Sequence, residues 1–166
     1  MKPPSIPLEK ILALEPVCLR LRVPEAYRDR NRHMNMRWYV AIFDDAGDGL
    51  YLRRGLTPEF HRQRGTGTFD LEHHTHFLSE VVPGDQVAVY VRLVAHSAKR
   101  MHYLMFMVNE TTGKLAAMFE CLTAFADLTI RRTAPFPPEI AAKIEAGVAE
   151  GLTLDWPAPV CGAMHV

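Results

Sequence analysis

Between Tyr27 and Asn35 the chain reads Tyr-Arg-Asp-Arg-Asn-Arg-His-Met-Asn and runs straight into an apolar, helix-like stretch, 36–54. Asp29, Asn31, His33 and Asn35 thus set four side chains with acid, base or hydrogen-bonding capacity beside a helix start. Asn35 suits an N-cap, because its side-chain oxygen can accept from a free amide of the first turn. The amides just beyond it point outward and carry the positive end of the helix dipole. An amide nest next to a carboxylate is what ester or thioester cleavage needs: one group polarises a carbonyl while the other directs attack on it. The same string also reads as a well-capped helix behind a polar turn, since capping clusters are common. The surrounding chain has to decide.

The elements that must position this cluster lie on both sides of it. Residues 17–23 alternate Val17, Leu19, Leu21 and Val23 against Cys18, Arg20 and Arg22, the pattern of a half-buried strand. Within 36–54, Trp38, Ile42, Ala46, Gly49 and Leu50 recur at helical spacing and predict one apolar stripe. Gly47 and Gly49 weaken an isolated helix by about 1 kcal/mol each relative to Ala. They make sense if a sheet must approach closely, as Ala41 and Ala46 also allow, and Gly55 fits a C-terminal stop. Past Gly65-Thr66-Gly67 the pattern turns to strands: 68–81, ending at Val82-Pro83-Gly84-Asp85; 86–97; 101–108; and 115–128, the longest and most apolar. Pro137-Pro138 opens a last helix with Ile140, Ile144 and Val148 four apart, and the tail 151–166 reads as irregular. One strand, one long helix and then four strands is an α+β plan. A single domain is expected, with its core over about 15–147.

Composition narrows the partners. The chain has 166 residues, 48% of them hydrophobic, enough to bury a sizeable core. Lys plus Arg and Asp plus Glu both count 19, so no net field recruits nucleic acid or an acidic membrane. No apolar run approaches a membrane span, and the start Met1–Pro7 lacks the core of a signal peptide. Cys18, Cys121 and Cys161 are scattered and odd in number, which speaks for a reducing compartment over a disulfide framework. A cytoplasmic protein is expected.

The element order and the string Asp29-Arg30-Asn31-Arg32-His33-Met34-Asn35-Met36 resemble the hotdog fold, specifically the 4-hydroxybenzoyl-CoA thioesterase-like family. That family carries a D-x-x-G-H-[VM]-N-N type motif just before its central helix. The resemblance continues through Phe77–Asp85, Gly113–Ala117 and Arg131–Pro137, covering about residues 17–145. It implies an antiparallel sheet of about five strands wrapped around one long central helix, with a C-terminal helix. It also implies an acyl-CoA thioesterase that releases free acid and CoA from a small or medium acyl-CoA without a cofactor. Two residues depart from the motif: Arg32 stands at the usual glycine and Met36 at the second asparagine. Glycine takes positive φ at no cost, whereas Arg there is strained. Either the loop is shaped differently or Arg32 adds a cation beside the substrate.

In such thioesterases an aspartate is associated with hydrolysis, as a base for water or as a nucleophile. On this chain that role falls to Asp29, with Asn31, His33 and Asn35 as orienting or carbonyl-binding groups. Amides around 33–36 would polarise the carbonyl, each such donor being worth about 3–4 kcal/mol in the barrier. Tyr27, Arg32, Met34, Trp38, Tyr39, His76 and Phe77 are the candidate substrate contacts. Lys99, Arg100, Arg131 and Arg132 are basic pairs at strand ends, suited to CoA phosphates or simply solvated. Hotdog thioesterases associated with carnitine and betaine metabolism use a similar Y-x-D-x-N-x-H-M-N string. On that variant, Trp38 and Tyr39 with Asp44 or Asp45 would hold a trimethylammonium group by cation–π attraction and charge.

His73, His74 and His76 raise the question of a metal. On a strand His74 and His76 share a face, but two histidines without a nearby carboxylate or cysteine make a weak site, and no metal is expected. A lone hotdog unit leaves a sheet edge open, so a homodimer or dimer of dimers is implied. Two other functions stay in view. An enoyl-CoA hydratase on this fold places His five residues after Asp in D-x-N-P-x-H, whereas here the spacing is four and the proline is absent. The other is a hotdog module that binds acyl-CoA without turnover.

Overall fold

The computed structural model describes residues 6–14 and 16–166. Met1–Ser5 and Glu15 lie outside the described residues, and with them most of the stretch judged above to lack a signal-peptide core. The elements are α1 (Leu8–Leu12), β1 (Leu19–Arg22), α2 (Met36–Arg54), α3 (Pro58–Arg64), β2 (Thr66–Phe77), β3 (Gln86–His96), β4 (Arg100–Asn109), β5 (Lys114–Asp127), β6 (Arg132–Thr133) and α4 (Pro138–Leu152). The strands form one sheet in the order β1-β3-β4-β5-β2, with the short β6 paired to β5. The pairing is antiparallel: Leu19 faces Val89 and Arg22 faces Gln86, and Ala126 faces Thr133. This is the α+β plan expected, a five-stranded sheet with a long helix and a C-terminal helix. Among the described residues no helix is long and apolar enough to cross a membrane.

Contacts divide the chain into two compact units. The first comprises residues up to Leu50 with Thr75–Val91 and Met105–Phe119. In it α2 buries Tyr39, Ile42, Phe43, Ala46 and Gly47, ending at Leu50. The stripe is therefore rotated slightly from the one read in the sequence: Trp38 and Gly49 sit at its half-buried margin. Phe43 stacks on Phe119 of β5, with ring centroids 5.0 Å apart, tying helix to sheet. The close approach that a helical glycine suggested is real at Gly49. A methyl group there would lie 2.7 Å from the Cys18 carbonyl oxygen, on the segment leading into β1.

The second unit comprises Tyr51–His74, Arg92–Leu104 and Glu120–Val166. It contains α3, which the sequence reading passed over. Thr57 caps that helix by accepting from the Phe60 amide at 3.0 Å, Pro58 opens it, and Gly65 ends it in the left-handed region. α4 buries Ile140 and Ile144 as expected, but continues its buried face through Gly147 and Gly151 instead of Val148. A Cβ on Gly151 would lie 2.2 Å from the Leu93 carbonyl oxygen, so only glycine lets α4 meet β3. The segment after α4 is irregular as expected, yet it is packed, with Trp156 and Met164 buried. Arg92 holds it by donating to the Trp156 and Gly151 carbonyls at 2.9 and 2.8 Å.

Candidate active site

The polar cluster between Tyr27 and Asn35 folds into a tight loop closed by pairing of Arg28 with Met34. Asp29 N donates to the His33 carbonyl at 2.9 Å, and Arg32 N to the Asp29 carbonyl at 3.2 Å. Asp29 Oδ1 accepts the Asn31 amide at 2.7 Å, and its Oδ2 lies 3.3 Å from His33 Nδ1. Arg32 has φ of 70°, the left-handed conformation that the family's glycine adopts freely. The residue bears a backbone cost on the order of 1–2 kcal/mol. Arg28 steadies the turn, donating to the Arg32 carbonyl at 3.2 Å while it pairs with Glu25.

Asn35 caps α2 as its residue type suggested, its Oδ1 accepting from Arg37 N at 3.1 Å. The amides expected to polarise a carbonyl divide into two pairs. Met34 N donates to the Val81 carbonyl at 2.7 Å and Asn35 N to the Tyr27 carbonyl at 2.9 Å, so these two are already committed. That leaves the amides of His33 and Met36, the latter at the helix's first residue where no intrahelical acceptor exists.

Both residues line a cavity of about 570 Å³, bounded also by Asp29, Met34, Asn35, Tyr39, Phe77, Leu78, Ser79 and Glu80. Tyr39 meets Phe77 edge to face with centroids 5.2 Å apart, and its hydroxyl donates to the Ser79 carbonyl at 3.4 Å. Burial holds the Tyr39 phenol above its usual range, and the Glu80 and Asp85 carboxylates add to the effect, so the ring is a neutral donor. The 78–85 segment is fixed from behind. Leu78 N and Ser79 N both donate to the Ala116 carbonyl. The buried Asp85 carboxylate accepts from Val82 N at 3.0 Å and Asn109 Nδ2 at 2.7 Å.

Among the residues picked from sequence, Asp29, His33, Met34, Asn35, Tyr39 and Phe77 share this cavity. The others lie elsewhere. Asn31 and Arg32 are exposed on the loop, and His76 is half-buried one residue before the wall. Tyr27 and Trp38 stack on each other at 3.8 Å, nearly parallel, with the Arg37 guanidinium 4.9 Å from the Trp38 ring. Asp44 and Asp45 are exposed further along α2. Lys99, Arg100, Arg131 and Arg132 are exposed in the second unit, where Arg100 donates to the His165 carbonyl at 3.3 Å. Met36, Leu78, Ser79 and Glu80 were missed as lining residues. Reading the strand on to residue 81 hid the last three, since β2 ends at Phe77 and the chain then turns into the cavity wall.

Comparison with known proteins points one way. The profile of the thioesterase-like superfamily matches residues 23–144. A betainyl-CoA thioesterase of Pseudomonas aeruginosa is 33% identical over 118 residues, 71% of this chain and 74% of that one. A Staphylococcus aureus protein solved in complex with CoA superposes with a TM-score of 0.80 at 25% identity, over 91% of this chain and 96% of its own. A 1,4-dihydroxy-2-naphthoyl-CoA thioesterase from Synechocystis shares the fold at 17% identity, with a TM-score of 0.67 over 84% of this chain and 97% of its own.

Proposed function

The chain belongs to the thioesterase-like superfamily and is a thioesterase; from that premise we propose that it hydrolyses a small or medium acyl-CoA, to free acid and CoA, in the cavity at the start of α2. The observation that carries this reading is that Asp29, His33 and Met36 line one cavity at the start of α2. With the thioester carbonyl oxygen on the His33 and Met36 amides, negative charge that develops in the tetrahedral intermediate is met by fixed dipoles. Asp29 takes a proton from water as the new C–O bond forms, or attacks the carbonyl itself to give a mixed anhydride that water then cleaves, releasing the acid and restoring the carboxylate. On either route the C–S bond breaks, and the departing CoA sulfur takes up a proton. His33 orients the carboxylate, and the Tyr39 ring, its hydroxyl held by the Ser79 carbonyl, forms part of the acyl wall. Lys99, Arg100, Arg131 and Arg132 remain the candidates for CoA phosphates.

The lining suggests the class of acyl group. It carries two carboxylates, Asp29 and Glu80, and the rings of Tyr39 and Phe77, with no lysine or arginine among the described residues. Such a wall favours a neutral or cationic acyl group over an anionic one. A trimethylammonium acyl group of the betainyl kind, as named for the Pseudomonas aeruginosa relative, fits it on Tyr39, Phe77 and Glu80. Trp38 is not needed for this, its ring being engaged by Tyr27 and Arg37.

The reading includes assembly as a homodimer or dimer of dimers. It is supported by β2, a twelve-residue edge strand that leaves Phe69 66% and Leu71 42% exposed. Light scattering tests this, and a monomer counts against it. Release of free thiol across a panel of acyl-CoAs, including betainyl-CoA and a dicarboxylic acyl-CoA, tests the activity. Turnover is expected for neutral and cationic acyl groups and not for the anionic one. Tight binding without turnover would make the chain a non-catalytic acyl-CoA module, and hydration of crotonyl-CoA would make it a hydratase.

A further inference from the structure

The histidines of β2 lacked a carboxylate and a cysteine in the sequence, and the fold supplies both from distant positions. His74 on β2 and Glu120 on the neighbouring strand β5 bring their side chains together. Cys161, in the segment after α4, is brought to the same spot. One ligand atom from each of His74, Glu120 and Cys161 lies within 4.8 Å of the others. We propose that these three residues bind a divalent transition-metal ion, zinc by preference, which clasps the C-terminal segment to the sheet.

Three further observations favour an ion there. First, Glu120 is only 3% exposed, and a buried carboxylate is costly unless cations or donors surround it. Its Oε1 lies 2.8 Å from His102 Nε2 and its Oε2 accepts Cys161 N at 2.7 Å, which orients the carboxylate and leaves lone pairs on both oxygens. A ligating carboxylate is commonly held by hydrogen bonds from groups behind it, and His102 and the Cys161 amide do this for Glu120. Second, the Cys161 sulfur already accepts the Ala163 amide at 3.5 Å across Gly162, whose φ of 78° aims that amide back. That contact orients the sulfur. Third, the donor set decides the ion. Thiolate, imidazole and carboxylate together suit zinc, whereas calcium and magnesium require oxygen ligands. Metal–ligand bonds of about 2.0–2.3 Å draw the three donors somewhat closer than they stand, a movement open to His74 on an exposed stretch of β2. Three protein ligands leave a fourth position for water.

The test uses the untagged full chain, stripped with a chelator and titrated with Co²⁺ as a spectroscopic probe, then with Zn²⁺. One equivalent of Co²⁺ is expected to give a thiolate-to-cobalt charge-transfer band, which zinc abolishes. Cys161→Ser loses the band, and Cys18→Ser keeps it. His102→Gln weakens binding about 10–100-fold by removing the group behind Glu120. His74→Ala removes a side chain on the exposed part of β2 and loses affinity, its zinc response being read against its own metal-free melting temperature. Zinc raises the melting temperature of the wild type and not of His74→Ala. Absence of the band in the wild type overturns the proposal. So does a band that survives Cys161→Ser, or an unchanged affinity in His74→Ala.

Discussion

His33 Nδ1 lies 3.3 Å from Asp29 Oδ2 while Asp29 Oδ1 takes the Asn31 amide at 2.7 Å, so both oxygens of the carboxylate are held from within its own loop. Asp29→Asn keeps an oxygen to accept the Asn31 amide but loses the charge and the basic oxygen. The variant is expected to fold with stability within about 0.5 kcal/mol of the wild type and to lose about 100- to 10,000-fold in thioester hydrolysis. Thiol-release kinetics beside a thermal melt check this, and full activity sinks the assignment of Asp29.

Arg32 is exposed with φ of 70°, a conformation that costs any residue with a Cβ. Arg32→Gly is therefore expected to stabilise the protein by up to about 1 kcal/mol, a rise in melting temperature of about 2–4 °C. A lower melting temperature would refute the strain argument. If kcat/KM falls while stability rises, Arg32 is retained as a cation for the substrate.

Gly49→Ala places a methyl group 2.7 Å from a backbone oxygen, at Cys18, that has no rotamer in which to retreat. A loss of about 1–3 kcal/mol is expected, read as a lower urea midpoint with the same slope. A midpoint equal to the wild type's would show that the segment before β1 yields freely.

The Tyr51 phenol is pushed up to about 12, first by burial and then by the Asp70 charge. An unfolded tyrosine ionises near pH 10, so between about pH 10 and about 12 the native state binds more protons than the unfolded one. The stability contributed by neutral Tyr51 is fully present below that window and is lost as pH rises through it. Tyr51→Phe is expected to flatten this alkaline decline in urea denaturation. Tyr103, also held up by burial, maintains the remainder. Superimposable pH profiles for variant and wild type would contradict the assignment.

How far the sequence could be read depended on the range of the cause. α2 begins at Met36 and ends at Arg54 as expected, because Asn35 and Gly55 set its ends within a residue or two. β3 and β5 came within a residue or two of their bounds, since their alternation or apolar run stops at turns. α3 was missed although Thr57-Pro58-Glu59 and Gly65 announce it; its seven residues carry no apolar period. Trp38 was placed on the buried stripe because nothing local shows Tyr27 taking its ring face. Asp29, His33 and Asn35 were legible as a group because one loop holds them. Glu80 was not, for it reaches the cavity only after Leu78 and Ser79 turn to the Ala116 carbonyl. The His74, Glu120 and Cys161 grouping depends on strand register and on the packing of the segment after α4, neither of which a spacing encodes.

The bond from Met34 N to the Val81 carbonyl joins the loop before α2 to the loop after β2. Fixing the backbone of one residue costs about 1–2 kcal/mol in conformational freedom. Here that entropy is surrendered when the chain folds, because Met34, Asn35, Leu78 and Ser79 are bonded to other backbone groups of the chain itself. An acyl-CoA that arrives need not order the wall it meets. Its affinity can go into discrimination among acyl groups, and the thermodynamic signature of binding should carry little of the entropy loss that accompanies loop closure.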